Sequence, residues 1–526
     1  MDLLIESRVN GTTGEREVYL DHAGAGRATE EQLRKVFEDL ARLRFGNPHS
    51  RNPSSRLTTD IVHQARVRVL RHFNSSLNEY SVIFTSGATG SLKLVAESFD
   101  FNADTTRPSS SSGTEETSNT ILQDDSDDTA AAVKPPCFAY LRDNHTSVVG
   151  MREVLDRRDV RIRCIPSTSA LLWSPNTTSD KTPPCGGRRN HQHNNLFVFP
   201  AQSNFSGRKY PLQWIEAVQN GRLLGSSNDR WFVCLDAACL VATSPLDLSL
   251  WRPDFVVLSF YRLFGYPTGL GALLVRNSSA GVLTTKRRYF GGGTVKLALA
   301  GANFHMKIDD LAERFEDGTV DFCGIAALRH GFDALEEAGG IQAISEHVFY
   351  LAKMTFNGLT FLRHGNGSPV AHIYCDSSES FQDATVQGGI VNFNLLTADG
   401  AWVGFTEVEK MADLYNIHLR TGCFCNQGAC QEFLGITDEE LMKNFRDGKV
   451  CGDTMDLING RPVGSIRVSF GFTSTQEDVL AFLGMIYDCF VTEPSVSWQE
   501  FTQHLLATIP KCNCSLQCVI NGDDDN

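Results

Sequence analysis

The sequence lacks three features that would assign it to a membrane, a secretory route or a nucleic acid. No apolar run in its 526 residues is long enough to cross a bilayer. The N-terminal residues have no apolar core of the signal-peptide type. Positive charge is also scarce, because 48 Lys and Arg stand against 62 Asp and Glu, a formal net charge of -14. We therefore expect no membrane partner and no nucleic-acid partner, since nucleic acids are bound by basic faces.

Cysteines are numerous, although nothing in the sequence indicates secretion. Fifteen cysteines without a secretory signal fit a reducing compartment better than a disulfide framework, so we expect a cytoplasmic protein. His191 and His193 lack further ligands, and the cysteines of residues 512–518 lack a fourth ligand for a tetrahedral metal site. We expect no bound metal, and we expect residues 497–526 to form a tail whose residues from Lys511 onward are an exposed end.

The length of the chain and its strand pattern predict two lobes. Between residues 80 and 275, apolar β-rich runs alternate with helical or turn segments, which favours a mostly parallel sheet covered on both faces. The predicted strands are residues 81–84, 138–141, 160–164, 196–199, 231–235 and 255–258. After about residue 340 the pattern changes to a smaller α+β lobe with strands near 389–394 and 465–470. We predict a large α/β domain at 1–335 and a small lobe at 336–496.

Two inserts interrupt the large domain. Residues 102–134 are rich in Ser, Thr and Asp, and residues 167–195 mix Pro, Thr, Gly, Arg and His. Both have too few apolar residues to offset the entropy of ordering. We predict that both are disordered surface loops.

Polar residues follow several of the predicted strands. Residues 85–89 join a strand to a helix, where backbone N–H groups and hydroxyls can cradle a phosphate, although an ordinary N-cap turn would look the same. Asp236 ends another strand and could hold a ring nitrogen protonated, or act only as a turn residue. His145 follows a third strand and could stack on a ring or shuttle protons, or be a core histidine. The carboxyl ends of parallel strands meet at one edge, so these residues predict one site.

In chain order, the motifs are the loop at residues 85–89, then His145, then Asp236, then one further loop. Together they resemble the class V aminotransferase and cysteine desulfurase family, and within it the molybdenum cofactor sulfurase branch. The last motif is the loop at residues 259–269, which follows the strand at 255–258. Further matching segments are residues 19–26, 45–50, 199–207, 289–295 and 314–319. The resemblance implies the fold of the pyridoxal 5'-phosphate (PLP) dependent transferases, fold type I, and a homodimer.

The resemblance also implies a role for each matching residue. The PLP phosphate would be held by Gly87, Ala88, Thr89, Ser259 and Tyr261. His145 would stack on the PLP ring, and Asp236 would pair with its nitrogen. Asn204 and Arg467 would hold the carboxylate of the substrate L-cysteine. Cys239 occupies a position where desulfurases often have a glutamine near the ring hydroxyl.

A second motif, residues 420–430, contains three cysteines between glycines. A metal site would need a fourth ligand, whereas a thiolate in a mobile, exposed loop can attack the sulfur of a PLP-bound cysteine. The resemblance assigns the resulting persulfide to Cys430, and we interpret Cys423 and Cys425 as buried packing thiols. The implied acceptor of the sulfur is the molybdenum cofactor, or the enzyme that carries it.

The sequence departs from the family at two points. Arg262 stands where the family has the lysine that forms a Schiff base with PLP, and a guanidinium remains protonated and cannot replace that amine. PLP would then be held without a covalent bond, unless Lys209 substitutes. The second departure is length, because the MOSC domain that is typical of this branch has no counterpart in the chain.

Two alternatives to the sulfurase remain. One is a general cysteine desulfurase with other sulfur acceptors, and the other is a non-catalytic binding protein on the PLP fold. The presence of Cys430 and Arg467 favours catalysis, whereas Arg262 favours the binding protein.

Overall fold

The computed structural model describes residues 16–102, 135–155, 158–167, 193–224, 230–284, 289–450 and 452–508. Most of both predicted inserts, His191 and the cysteines at 512–518 lie outside these ranges. Asn194 and Asn195 were predicted within the second insert, but they belong to a strand of the large sheet. The predicted boundary at residues 335 and 336 falls in the last turn of a helix, and the division into domains stays a prediction.

The strands are numbered in chain order. They are β1 (Val18–Tyr19), β2 (Tyr80–Thr85), β3 (Cys137–Leu141), β4 (Arg161–Ile165), β5 (Asn194–Pro200), β6 (Arg230–Asp236), β7 (Phe255–Ser259), β8 (Gly271–Arg276), β9 (Val295–Ala298), β10 (His305–Lys307), β11 (Ala371–Ile373), β12 (Ile390–Leu395), β13 (Ile417–His418), β14 (Arg420–Gly422), β15 (Leu457–Ile458), β16 (Arg461–Pro462) and β17 (Ser465–Ser469). All six strands predicted for the large domain and both strands predicted for the small lobe are present. The strand β8 was not predicted.

The helices of the described ranges follow the same convention. They are α1 (Glu30–Arg42), α2 (Pro53–His72), α3 (Ala88–Ser98), α4 (Thr146–Val149), α5 (Met151–Leu155), α6 (Gln213–Gln219), α7 (Phe260–Phe264), α8 (Gly281–Thr284), α9 (Leu311–Phe315), α10 (Phe322–Glu337), α11 (Gly340–Phe361), α12 (Phe405–Leu414), α13 (Gln427–Leu434), α14 (Asp438–Arg446), α15 (Gln476–Phe490) and α16 (Trp498–Thr508). The predicted tail thus begins with α16, whose Phe501 and Leu505 are buried in the main core. None of the helices in these ranges is long and apolar enough to cross a membrane.

A seven-stranded sheet forms the centre of the large domain, in the order β2-β8-β7-β6-β5-β3-β4. Strands β4, β3, β5, β6 and β7 are parallel, and β8 lies antiparallel between β7 and β2. The chain therefore runs in the same direction in β2 as in the five parallel strands, and all six end at one edge of the sheet. That edge carries the predicted site.

Both faces of this sheet are covered, as its apolar strands predict. Along β7, Val256 and Leu258 join one core cluster, and Phe255 and Val257 join the other. The first cluster contains residues of α10, and the second contains residues of α3. Burial on both faces explains why β7 lacks the polar alternation of a half-exposed strand.

The small lobe contains a four-stranded antiparallel sheet, in the order β11-β12-β17-β14. The N-terminal segment joins this lobe, because β1 pairs in parallel with β13 and Asp21 bridges to Ser469. The small lobe therefore brings β14, β17 and Asp21 towards the carboxyl edge of the large sheet.

Candidate cofactor and sulfur-transfer site

A cavity of about 170 Å³ opens at the carboxyl edge of the large sheet. Most of its lining comes from the ends of β2, β3, β5, β6 and β7 and the segments that follow them, and Asn426 comes from the start of α13. The lining residues are Ser86, Gly87, Ala88, Thr89, Leu92, His145, Ser147, Pro200, Gln202, Asn204, Asp236, Ala238, Cys239, Ser259, Tyr261, Arg262 and Asn426. Nine of the eleven predicted site residues are in this set, and the other two are Arg467 and Cys430.

One end of the cavity is formed by the start of α3. Gly87 caps this helix with φ 103° and without a side-chain hydrogen bond to the first-turn N–H groups. The buried Ser259 ends β7 on the facing side, and a Cβ at Gly271 would lie 2.6 Å from the Cα of Gly87. Free backbone donors at a helix start, beside a hydroxyl, form a cradle that a phosphate group fits.

The middle of the cavity is bordered by Asp236 and His145. The Asp236 carboxylate is buried and accepts a hydrogen bond from the Ala238 N–H at 3.1 Å. Burial raises the pKa of this carboxyl, and its hydrogen bond with Ala238 and the nearby His145 and Arg262 oppose the shift. Nearby groups thus offset only part of the cost of burying the carboxylate charge. Such a carboxylate is stabilised by a cationic partner, for example a protonated pyridine nitrogen.

His145 is neutral in this environment. Burial lowers the pKa of its imidazole, Arg262 and Arg420 lower it further, and Asp236 opposes them. Its Nδ1 accepts the Ser147 N–H at 3.1 Å, so the proton of the neutral ring lies on Nε2. The ring therefore offers one N–H donor from the wall of the cavity.

Gln202 is a lining residue that the sequence analysis did not select. Its side chain is buried, and its Oε1 has no hydrogen-bond partner in the part of the chain that the structure describes. Its Nε2 lies 3.6 Å from the Sγ of Cys239, the residue in the position where desulfurases often have a glutamine. Gln202 thus places an amide beside the thiol that stands in the family's glutamine position. The family-matching segment 199–207 was the signal that could have identified it.

Arg262 extends from α7 towards the N-terminal segment. Its Nη1 donates a hydrogen bond of 2.6 Å to the Ala23 carbonyl. Burial disfavours its charge, but Tyr261, Cys239 and Asp236 hold its pKa above the ordinary value. Arg262 is therefore a fixed cation in the lysine position and not a latent nucleophile.

Lys209, the substitute considered from the sequence, is not a lining residue. Its Nζ donates to the Ala384 carbonyl at 2.8 Å. Burial lowers its pKa to about 8, and Asp383 and Cys239 oppose this shift. The lysine is activated by burial but directed to a backbone carbonyl.

The predicted carboxylate-binding pair lies at the boundary with the small lobe. Arg467 is fully buried, and its guanidinium donates to Asp21 Oδ1 at 2.5 Å and to the Asn204 carbonyl at 2.8 Å. Its Nε has no partner in the described ranges, and its guanidinium lies over the ring of Phe424. Arg420 lies directly opposite Arg467 in the sheet. Two cations therefore lie opposite each other at this boundary, and Arg467 already has a carboxylate in Asp21.

The cysteine-rich segment differs from the expected exposed loop. Cys430 is fully buried on α13 and forms a disulfide with Cys423. Asn426 caps α13 by accepting the N–H of Ala429, which explains why this part is helical. Cys425, interpreted as a buried packing thiol, is instead a half-exposed free thiol. The persulfide role of Cys430 stays a prediction.

Within the described ranges, no group of three or more His, Cys, Asp or Glu side chains is placed to hold a metal ion.

Solved structures resemble this arrangement. The apo structure of a cysteine desulfurase from Thermococcus onnurineus NA1 matches 90% of this chain and 94% of that chain, with a TM-score of 0.63 and 17% sequence identity. A C-DES variant with glycine covalently linked to its PLP cofactor matches 90% of this chain and 96% of that chain, with a TM-score of 0.61 and 17% identity. These likenesses confirm the predicted fold class, PLP-dependent transferase fold type I.

The sequence comparisons define the family. The model of the family described as aminotransferase class-V matches residues 18–169 and 191–482, and the chain belongs to this family. The chain is 49% identical over 486 residues to molybdenum cofactor sulfurase from Homo sapiens, covering 92% of this chain and 50% of that protein. These findings confirm the resemblance stated from the sequence, and PLP as the cofactor of this family and fold. The chain spans about half the length of the curated relatives it matches.

Proposed function

We propose that this chain is a PLP-binding cysteine desulfurase module of the molybdenum cofactor sulfurase type. In this proposal it takes sulfur from L-cysteine onto one of its own thiols and passes it to the molybdenum cofactor. The observation that carries the proposal is the position of Asn426, which lines the cavity and follows the free thiol of Cys425. The cavity and the cysteine segment thus form one site.

The residues of the cavity fit PLP at three points. The start of α3 with Ser259 would hold its phosphate, Asp236 would pair with its ring nitrogen, and Gln202 would supply the polar contact beside the ring. PLP, when bound, supplies an electron sink for bond breaking at the substrate. The residues do not supply a lysine for covalent attachment, because Arg262 occupies that position.

The substrate carboxylate would be held at the boundary between the lobes. The Asn204 amide donates to the Phe424 carbonyl and accepts from Asn426, so its position is fixed by the cysteine segment itself. Arg467 would bind the carboxylate in competition with Asp21, or jointly with Arg420. The neutral His145 would hold or donate a proton at Nε2 on the cavity side.

The thiol that accepts the sulfur depends on the disulfide. Cys430, the residue that the sequence analysis assigned, can accept sulfur only after its bond to Cys423 is reduced. Cys425 is available in the disulfide-bonded form, and its carbonyl accepts the Thr146 N–H beside His145. We assign the acceptor role to Cys425 in the oxidised segment, and to Cys430 in the reduced one.

Transfer to the molybdenum cofactor, a cytoplasmic location and a homodimer belong to the same proposal. They rest on the similarity to sulfurases of which this chain spans about half the length. A general cysteine desulfurase would load the same thiol but would not exchange an oxo ligand of the molybdenum for sulfur, so adding the cofactor after loading distinguishes the two.

Peptide mass spectrometry of residues 420–434 tests the proposal. The natural protein and an Arg262→Lys variant are incubated with PLP and L-cysteine, with and without prior reduction. Persulfide on Cys425 or Cys430 in the natural protein supports a working desulfurase. Persulfide only in the variant supports the second candidate, a PLP-fold binding protein, which the fixed Arg262 cation favours. Persulfide in neither contradicts the desulfurase proposal.

A further inference from the structure

The cysteine segment is closed into a small ring by its own disulfide. Cys423 directly follows β14, and Cys430 lies within α13. Their Cα atoms are 5.4 Å apart, and the bond encloses Phe424, Cys425 and Asn426 together with the start of the helix. The free thiol of Cys425 therefore lies inside a covalently closed loop.

The backbone inside this ring is unusual. Phe424 and Cys425 have φ values of 55° and 56°, in the left-handed region that non-glycine residues rarely adopt. Two consecutive residues in this conformation persist only where surrounding contacts hold them. A closed ring limits the alternatives that the loop can reach.

Four hydrogen bonds join the ring to the wall of the cavity. The Asn426 amide donates to Asp143 Oδ1 at 2.5 Å and to Asn204 Oδ1 at 2.8 Å. The Asn204 amide donates to the Phe424 carbonyl at 2.8 Å, and the Thr146 N–H donates to the Cys425 carbonyl at 2.8 Å. Residues following β3 and β5 thus hold the loop on each side of Cys425.

The disulfide is buried on its Cys430 side and partly exposed on its Cys423 side. Cys430 belongs to a cluster with Phe205, Tyr374 and Phe424, and Cys423 packs against that cluster. The ring therefore has one covalent end in an apolar cluster and one polar end at the cavity wall, and Cys425 lies between them in the chain.

We propose that Cys423 and Cys430 are positioning residues that form a reversible redox clasp, which holds the Cys425 thiol at the cavity. The role of Cys425 as sulfur acceptor rests on the proposed function. The movement of its thiol does not. With the clasp closed, Cys425 is held in the left-handed loop beside His145. With the clasp open, the loop relaxes to ordinary φ values and Cys425 moves away from Thr146 and the cavity wall.

Opening the clasp is a thiol–disulfide exchange with a dithiol reductant. One reductant thiolate attacks a sulfur of the Cys423–Cys430 bond, and the second reductant thiol releases the mixed disulfide. Cys423 and Cys430 gain two electrons and two protons, and the reductant becomes a disulfide. Closing runs in reverse with a small-molecule disulfide as the oxidant.

The test measures how fast each cysteine reacts with iodoacetamide, without PLP or L-cysteine. The full-length protein is compared in three states: oxidised, reduced and desalted, and reduced then reoxidised with glutathione disulfide. Mass spectrometry reads Cys425 separately, and the exposed Cys164 serves as a reference thiol in the same molecule. Cys423→Ser and Cys430→Ser are tested in parallel, with the unfolding midpoint of each as a control for folding.

We expect Cys425 to react roughly threefold faster or more after reduction, because local opening exposes it. On reoxidation the alkylation rate of Cys425 should return to its value in the oxidised protein, while the rate of Cys164 stays constant. Each serine variant should react at the reduced rate and be insensitive to reductant. Equal Cys425 rates in the oxidised and reduced natural protein would overturn the proposal. So would the absence of a Cys423–Cys430 disulfide from the oxidised protein. Failure of the proposed function would appear separately, as missing persulfide with this rate difference intact.

Discussion

Replacing Arg262 by lysine should convert the cavity into a site that attaches PLP covalently. The side chain lines the cavity near Asp236 and Cys239, and its Nη1 donates a hydrogen bond to the Ala23 carbonyl. A lysine there keeps the position of the charge but can lose its proton. Arg262→Lys therefore tests whether the rest of the site is complete.

The neighbours of position 262 set the size of the effect. Burial disfavours a charge there, but Tyr261, Cys239 and Asp236 hold the pKa of Arg262 above its ordinary value. The same neighbours favour the charged form of a lysine, so no more than the roughly 0.4% expected for a lysine of ordinary pKa near 10.4 should be neutral at pH 8. Because the neutral amine attacks the PLP aldehyde, covalent attachment should be slow at pH 8 and should rise about tenfold for each pH unit. Losing the 2.6 Å hydrogen bond to Ala23 should cost about 1.5–3 kcal/mol of stability.

The assay is borohydride reduction after PLP loading, followed by peptide mapping of the attachment site. We expect label at position 262 in Arg262→Lys, and none in the natural protein or in Arg262→Met, which loses both charge and amine. An Arg262→Lys/Lys209→Arg double variant should retain the label. Label at Lys209 in the natural protein, or no label at position 262 in the variant, would refute the reasoning.

Three further predictions concern stability and pH. Gly87→Ala should lower the free energy of unfolding in urea by about 1–3 kcal/mol, because φ is 103° at this position. It should also weaken PLP binding in a fluorescence titration. A variant as stable as the natural protein would contradict this reasoning. Arg467→Met should lower the free energy of unfolding by about 3 kcal/mol, because it leaves the Asp21 carboxylate without its partner. The double variant Arg467→Met/Asp21→Asn should recover part of this loss. Burial, with Arg27 nearby, lowers the pKa of His22 to about 3. As pH drops below about 6.5, this histidine takes up a proton in the unfolded state but not in the folded state. The free energy of unfolding should therefore fall by about 1.4 kcal/mol per pH unit, and His22→Gln should remove that contribution from the pH dependence.

The parallel strands were predictable because each is an apolar run between helical or turn segments. Burial on both faces by α3 and α10 is what makes β7 a continuous apolar run. The strand β8 was missed because only the five-residue helix α7 and a short loop separate it from β7, as an antiparallel neighbour needs no long crossover. The end of the second insert was misplaced because Asn194 and Asn195 are polar, although both are buried in β5.

The site was predictable where a residue directly follows a strand, as Asp236 and His145 do. It was less predictable where two distant segments meet. The glycines around the cysteine segment indicated a loop, but the cap at Asn426 starts a helix that buries Cys430. A disulfide pairing cannot be deduced from cysteine spacing, so its partner Cys423 had no signal. Arg467 was expected at a substrate, and its pairing with Asp21 depends on the contact between the N-terminal segment and the small lobe.

The pairing of β1 with β13 also constrains how the protein is made. Val18 contacts Ile417 across about 400 residues of chain. At roughly 5–20 residues per second, the ribosome needs on the order of 20–80 s to synthesise that interval. During this time the N-terminal segment has left the ribosome but its partner strand does not exist, and Leu20, fully buried in the finished molecule, is open to solvent. Conditions that slow translation should therefore increase the dependence of this chain on chaperones that shield its first residues.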